Sequence, residues 1–197
     1  AAERGHKVTL FDKAQMVGGQ LNLAKMVPGK EEFWGLVDWF SEMLKSSGAE
    51  VKLGEIVTSS DVIDFDEVII ATGVSPRDPK IKGHEKNNVV SYVEVLNGTG
   101  QIGQKVVVIG AGGIGFDVSE YLVHENKSDN KQIEIPKWMK EWGVGDPNKT
   151  PGGLAESGPK PEAAVRQVTL MQRKKQKLGR NLGKTTGWIH RLSLIHI

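Results

Sequence analysis

The stretch Lys105-Val106-Val107-Val108-Ile109-Gly110-Ala111-Gly112-Gly113-Ile114-Gly115-Phe116-Asp117 decides the fold. Its first five residues read as a buried strand, rich in β-branched side chains. The glycines that follow stand at G-x-G-x-x-G spacing, with an extra glycine at Gly113. Beyond them Phe116, Val118, Tyr121, Leu122 and Val123 mark a helix. Gly110 permits a tight turn, Gly112 lets the backbone approach a pyrophosphate, and Gly115 lets helix and strand pack closely. Free N–H groups and the dipole at the helix start then favour phosphate. In a chain with 24 Gly in 197 residues, a Gly-rich turn without a ligand is the bland alternative. The strand before it and the helix after it supply the context that dinucleotide binding requires.

Working outward, Gln167–Gln172 is the next strand, so strand, helix and strand make one βαβ unit. Residues 124–165 read as an insertion, rich in Gly, Pro and Asn, with Trp138 and Trp142 one turn apart to dock it. A loop of that length is functional or inserted. An acid at the end of the second strand would suit the ribose of NAD; a basic residue suits the 2′-phosphate of NADP. Here the strand runs into Arg173-Lys174. A guanidinium fork fits a phosphate, so NADPH is the expected cofactor. A solvated basic strand end is the alternative.

Upstream, His6–Asp12 is a strand ending in an acid. It follows Ala1–Gly5, which reads as a helix end stopped by a C-cap glycine. Gly18-Gly19 is a turn. Lys30–Ser47 is a helix with Phe33, Trp34, Val37, Phe40, Met43 and Leu44 on one face, ended by Gly48. Glu50–Leu53 is a short strand, Glu67–Ala71 a second buried strand closing on Thr72-Gly73, and 74–104 a connector. Asp12 resembles the ribose-binding acid of another dinucleotide unit, whose own glycine turn would lie before residue 1; a strand ending in Asp by chance is the alternative.

The fold expectation is therefore α/β, with two incomplete Rossmann-like units. Residues 1–102 form a partial FAD-type domain with its connector, and 103–191 a nucleotide-binding domain with an insertion. The first should leave one edge of the 8–10 strand open.

Composition narrows the classes. There is no Cys, which excludes a disulfide scaffold, a Cys zinc site, an iron–sulfur cluster and a Cys nucleophile within these residues. No apolar run is long enough to span a bilayer, the start is no signal peptide, and the expected location is cytoplasmic. The net charge of +2 hides an asymmetry. Residues 160–191 carry nine Lys or Arg and one acid, Glu162, leaving −6 on the rest. A basic stretch of this kind meets nucleic acid, an anionic cofactor or solvent. Only Trp188 lies near it, so a nucleic-acid stacking surface is disfavoured. Gly179–Thr186 superficially looks like a phosphate loop, but three residues rather than four separate its glycines. His6, His84, His124, His190 and His196 show no metal-ligand spacing.

With these residues placed, the chain resembles the FAD and NADPH portion of the bacterial 2,4-dienoyl-CoA reductases, relatives of trimethylamine dehydrogenase and of old-yellow-enzyme-like flavoproteins. Arg4–Asp12, Gly18-Gly19-Gln20, Pro28–Phe33, Ala71-Thr72-Gly73, Gly110–Asp117, Glu141-Trp142-Gly143 with Gly152-Gly153-Leu154, and Gly183–Arg191 carry the resemblance. It implies a longer enzyme of fatty-acid β-oxidation. An N-terminal barrel would hold FMN and the acyl-CoA, a Cys cluster would hold [4Fe–4S], and electrons would pass from NADPH through FAD to both. It implies FAD contacts at Asp12, Gly18, Gly19, Gln20, Ala71, Thr72 and Gly73. It implies NADPH pyrophosphate contacts at Gly110, Gly112, Gly113 and Gly115; Arg173, Lys174 and Lys184 are the candidates for its phosphates by their charge and position in the sequence. No catalytic side chain or metal ligand is expected among these residues, and the partner implied is the barrel of the parent. Leu192–Ile197 matches a translated sequencing adapter (CTG TCT CTT ATA CAC ATC) and reads as a non-native tail without function. A free-standing dinucleotide-binding or redox-sensing module is the rival reading.

Overall fold

The computed structural model describes residues 1–124 and 134–196; the part of the insertion at 125–133 lies outside them. The chain divides into two compact units. One comprises Ala1–Lys25 and Lys30–Val89; the other comprises Met26–Gly29 and the described residues from Val90 on. Among the described residues no helix is long and apolar enough to cross a membrane.

In the first unit, Ala2–Arg4 forms a single tight turn closed by Gly5, whose φ of +89° needs glycine. Strand β1 (Thr9–Asp12) follows, then a short helix α1 (Leu21–Ala24), helix α2 (Glu32–Ser46) and strand β2 (Glu50–Leu53). The strands pair in parallel, Thr9 opposite Glu50 through Asp12 opposite Leu53. The apolar stripe of α2 buries Val37. The Trp34 indole N–H donates to the Lys25 carbonyl at 3.1 Å, with the Lys25 ammonium 3.9 Å from its ring centre. Gly48, at φ +73°, follows the helix end.

Two expectations fail here. Glu67–Ala71 forms no strand, and Ile69 and Ile70 are more than four-fifths exposed. A strand exists through its ladder partners, and among the described residues β1 and β2 pair only with each other. Phe40 is likewise exposed, stacking edge-on against the exposed Trp39.

The second unit opens with a helix inside the expected connector. Helix α3 (Tyr92–Leu96) is started by a capping box. The Ser91 N–H donates to Glu94 Oε2 at 2.7 Å and the Glu94 N–H to Ser91 Oγ at 3.3 Å. The Ser91 N–H and hydroxyl, both donating to Glu94 Oε2, hold the exposed Glu94 carboxyl below its ordinary range. Strand β3 (Lys105–Ile109), helix α4 (Gly113–Val123) and strand β4 (Gln167–Met171) give the expected βαβ unit. The two strands are parallel, Lys105 opposite Gln167 through Ile109 opposite Met171.

Helix α4 is the core. It packs against β3, β4, α3 and helix α6 (Gly187–His196). Phe116, Val118, Tyr121, Leu122 and Val123 are buried, Leu122 completely. Burying each such side chain is worth roughly 1.5–3 kcal/mol. Burial also pushes the Tyr121 hydroxyl upward, partly offset by Arg166. The strands are buried on one face only. Val107, Ile109 and Met171, on the other, are more than half exposed, so β3 is half-buried where its sequence suggested full burial.

Within the insertion, helix α5 (Ile135–Trp142) ends at Gly143, φ +67°. A Cβ there would lie 2.6 Å from the Pro159 nitrogen. Val144 bridges Leu154, and the Gly145 N–H donates to the Gly153 carbonyl at 2.8 Å. The Glu-Trp-Gly and Gly-Gly-Leu segments thus close one tied loop. Trp142 is half-buried beside Trp138, which stays exposed rather than docking the insertion.

Candidate functional site

The glycine turn occupies the carboxyl end of the β3–β4 sheet. Gly110 has φ +121°, its N–H donates to the Met171 carbonyl at 2.8 Å, and α4 begins at Gly113 with Gly112 as its N-cap. A Cβ built at Gly115 would sit 1.7 Å from the Gly110 carbonyl oxygen and 3.5 Å from Leu170 Cδ1. No side chain fits there. At Gly110, Gly112 and Gly113 a Cβ would meet nothing within 4 Å. These three glycines are exposed while Gly115 is buried. The turn therefore leaves an open backbone cradle, with glycine demanded by packing at Gly115 alone. The first N–H groups of α4 have no preceding carbonyl in the helix to bond. With the dipole, they suit a pyrophosphate.

Because Ile109 faces Met171, the basic end of β4 emerges beside the turn. Arg173 and Lys174 are exposed and make no ion pair among the described residues. The Gln172 side-chain amide donates to the Gln176 carbonyl and folds the loop back. Farther along, Gly179 packs on α4, where a Cβ would come within 2.8 Å of the Phe116 ring. Arg191 of α6 donates to the Gly179 carbonyl at 3.3 Å. Lys184 sits exposed in the turn leading into α6. From Gln172 to Arg191 there is no acid, so this loop presents positive charge alone. The residues fit an anionic dinucleotide: an open cradle, free donors and an unpaired guanidinium at one sheet edge.

The first unit holds the other expected contacts. Asp12 ends β1, and its Oδ1 accepts the Ala14 N–H at 2.9 Å, leaving Oδ2 for another donor. Gly18 and Gly19 take φ +113° and +49°. A Cβ at Gly18 would press on the Asn22 amide at 2.8 Å and on Val37 at 3.1 Å. Asn22, which the sequence reading missed, pins this turn by donating to the Val17 carbonyl at 2.9 Å. Gln20 donates to the Val74 carbonyl at 3.3 Å, which brings the Gly18–Gln20 turn beside the segment following Ala71, Thr72 and Gly73. Those three residues are exposed.

A cleft of about 340 Å³, also missed, lies at the end of the β1–β2 pair and is lined by Phe11, Lys52, Glu55, Ile56, Val57 and Asp61. Phe11 and Lys52 are cross-strand partners and share a face; Asp12 points to the opposite one. Hydrogen bonds from the Thr58 hydroxyl and N–H, each 2.7 Å, hold the Asp61 carboxyl below its ordinary range. For FAD the fit is partial. Asp12, the Gly18–Gln20 turn and Ala71–Gly73 are available, while no strand–glycine turn for its pyrophosphate is found among the first unit's described residues. No group of His, Asp and Glu among the described residues could hold a metal ion.

Known proteins resemble this chain in sequence or in fold. NADH oxidase of Thermoanaerobacter brockii is 38% identical over 131 residues, covering 64% of this chain and 20% of that protein. Cinnamate reductase of Clostridium sporogenes is 37% identical over 129 residues, covering 64% and 19%. The chain thus spans about one fifth of the length of these relatives. A solved 2-naphthoyl-CoA reductase superposes with a TM-score of 0.59 at 22% identity, over 93% of this chain and 32% of that one, a likeness of fold. The family model described as pyridine nucleotide-disulphide oxidoreductase matches residues 1–190. That match takes in both glycine turns and both parallel strand pairs, and the chain belongs to the pyridine nucleotide-disulphide oxidoreductase family.

Proposed function

We propose that this chain is the electron-input portion of a longer flavoprotein reductase, taking electrons from NADPH to FAD in an enzyme like 2,4-dienoyl-CoA reductase. The observation that carries the reading is the turn at Gly110–Gly115, its backbone open at Gly112 and closed on the strand at Gly115, with Arg173 emerging beside it. The α4 N–H groups hold the pyrophosphate, Arg173 forks onto a 2′-phosphate, and Lys174 and Lys184 add charge. Asp12 Oδ2 accepts ribose hydroxyls of FAD, and the Gly18–Gln20 turn and Ala71–Gly73 supply backbone to it. Bound NADPH supplies a hydride that FAD accepts.

The substrate belongs to the rest of the longer polypeptide. The names cinnamate reductase and naphthoyl-CoA reductase both denote reduction of conjugated carboxylic compounds. They support a conjugated acyl substrate, reached through a barrel with FMN and [4Fe–4S]. One relative is named for NADH; the basic end of β4 is what favours NADPH here. The chain alone should bind NADPH yet retain FAD weakly and catalyse nothing, because hydride transfer needs a flavin in near-attack geometry. Titration of the purified chain with NADPH and NADH tests the reading. Tighter NADPH binding supports it, and equal affinity refutes it. A stoichiometric yellow flavin bleached by NADPH would refute the expected inactivity.

A further inference from the structure

Gln172, the first residue after β4, leaves the sheet beside Gly110, whose N–H donates to the carbonyl of Met171 at 2.8 Å. From there to Gln176 the chain makes a small closed loop. The Gln172 side-chain amide donates to the Gln176 carbonyl and bridges its two ends. Between them stand Arg173, Lys174 and Lys175, all exposed. Lys177 follows, and no acid stands between Gln172 and Arg191. Like charges so close repel, so this segment by itself favours an open form that spreads them. The Gln172 amide is neutral and leaves the charge uncompensated, yet it holds the loop shut. A second anchor fixes the far side. Gly179 is buried at φ +69°, and a Cβ there would come within 2.8 Å of the Phe116 ring. The Phe116 N–H in turn donates to the Gly112 carbonyl at 3.1 Å. The loop is thus tied to the glycine turn at both ends, through β4 and through Phe116.

We propose that Gln172 is a positioning residue for 2′-phosphate recognition. Its side chain closes the loop that keeps Arg173, Lys174 and Lys175 together beside the glycine turn, and so sets the preference for NADP(H) over NAD(H). The amide need not touch the nucleotide; it acts through the cations it brackets. Keeping them together is unfavourable in the empty loop, and a phosphate offsets the repulsion. A phosphate monoester gives up its second proton at about pH 6 and is close to doubly charged at neutrality. NAD⁺ shares the pyrophosphate and lacks that group, so the closed loop separates two nucleotides that the glycine turn treats alike. This inference rests on the function proposed above.

The test uses Gln172→Met in the full chain, a side chain of similar length with no N–H to donate. NADP⁺ and NAD⁺ are titrated by calorimetry, and phosphorus NMR follows the ionisation of the bound 2′-phosphate with pH. In the unsubstituted chain NADP⁺ should bind more tightly, and its bound 2′-phosphate should ionise at lower pH than in free NADP⁺, because adjacent cations favour the dianion. Gln172→Met should weaken NADP⁺ binding by about twofold to tenfold, the fold-change of one neutral hydrogen bond. It should leave NAD⁺ affinity unchanged and move the phosphate ionisation toward its free value. Gln172→Ala should give the same ranking and decides the matter if Gln172→Met does not fold. Unchanged NADP⁺ affinity, an unmoved phosphate ionisation, or an equal loss for both nucleotides overturns the proposal. Arg173→Ala, run alongside, separates the two claims. If it abolishes the preference while the Gln172 variants keep it, the phosphate reading stands and the role of Gln172 falls. An unsubstituted chain with no preference for NADP⁺ refutes both.

Discussion

Replacing Gly115 by Ala attacks the site where its geometry is tightest. The new Cβ would lie 1.7 Å from the Gly110 carbonyl oxygen, and ordinary contact begins at 3.4 Å. Strand end and helix must therefore part by about 1.7 Å, against backbone on both sides. Overpacking of a tight core costs roughly 1–3 kcal/mol and sometimes more, and rigid backbone places this substitution at about 3 kcal/mol. In a domain of this size that lowers Tm by roughly 12–24 °C. Displacing α4 also moves the donors that hold the pyrophosphate, so NADPH binding should fall with stability. Gly112→Ala separates the two effects. Its Cβ meets nothing within 4 Å and its φ of −90° suits Ala. At this N-cap position the substitution should cost less than about 1 kcal/mol, yet the methyl occupies the cradle and should abolish NADPH binding. Thermal melting and calorimetric titration of both variants decide it. A Gly115→Ala chain that melts and binds like the parent, or a Gly112→Ala chain that keeps full affinity, would refute the reasoning.

Other outcomes follow from single contacts. Arg173→Ala should weaken NADPH binding by about tenfold to a hundredfold, as expected for a charge-assisted contact of roughly 1.5–3 kcal/mol, while NADH titration shows little change. Gly18→Ala, forced to φ +113° against Asn22 and Val37, should lower the stability of the first unit by about 1–3 kcal/mol, read by urea unfolding. Ser91→Ala keeps the backbone N–H bond to the Glu94 carboxylate and removes the hydroxyl's, the smaller of the two that hold Glu94 below its ordinary range. An acid lowered in the folded state contributes above its unfolded value and loses that contribution as pH falls through the folded one. The melting difference between Ser91→Ala and the parent should accordingly be full near neutrality and shrink below pH 4.5.

The βαβ unit was legible because its signals are local. An apolar run, glycines at fixed spacing and a second apolar run specify β3, α4 and β4 without knowledge of any distant neighbour. Gly115 could be assigned its packing role on the same ground. Glu67–Ala71, Phe40 and Val107 misled because burial depends on what lies opposite. Each has the composition of a covered residue or strand; Glu67–Ala71 gains no strand partner among the described residues, and the side chains of Phe40 and Val107 stay exposed. Ser91-x-x-Glu94 is readable as a capping box, but it stands inside a stretch whose prolines and glycines read as a connector. Asn22 and the Phe11–Lys52 cleft carried no such signal, since each depends on the turn or the strand register that brings its partners together.

Calorimetric titration of the full chain with NADPH and NADH, run beside Gly112→Ala, bears most directly on the glycine turn as a dinucleotide site. Saturable binding of NADPH at one site, about tenfold to a hundredfold tighter than NADH and lost in Gly112→Ala, is the expected result. No saturable binding of either nucleotide, or binding that Gly112→Ala leaves untouched, would contradict it.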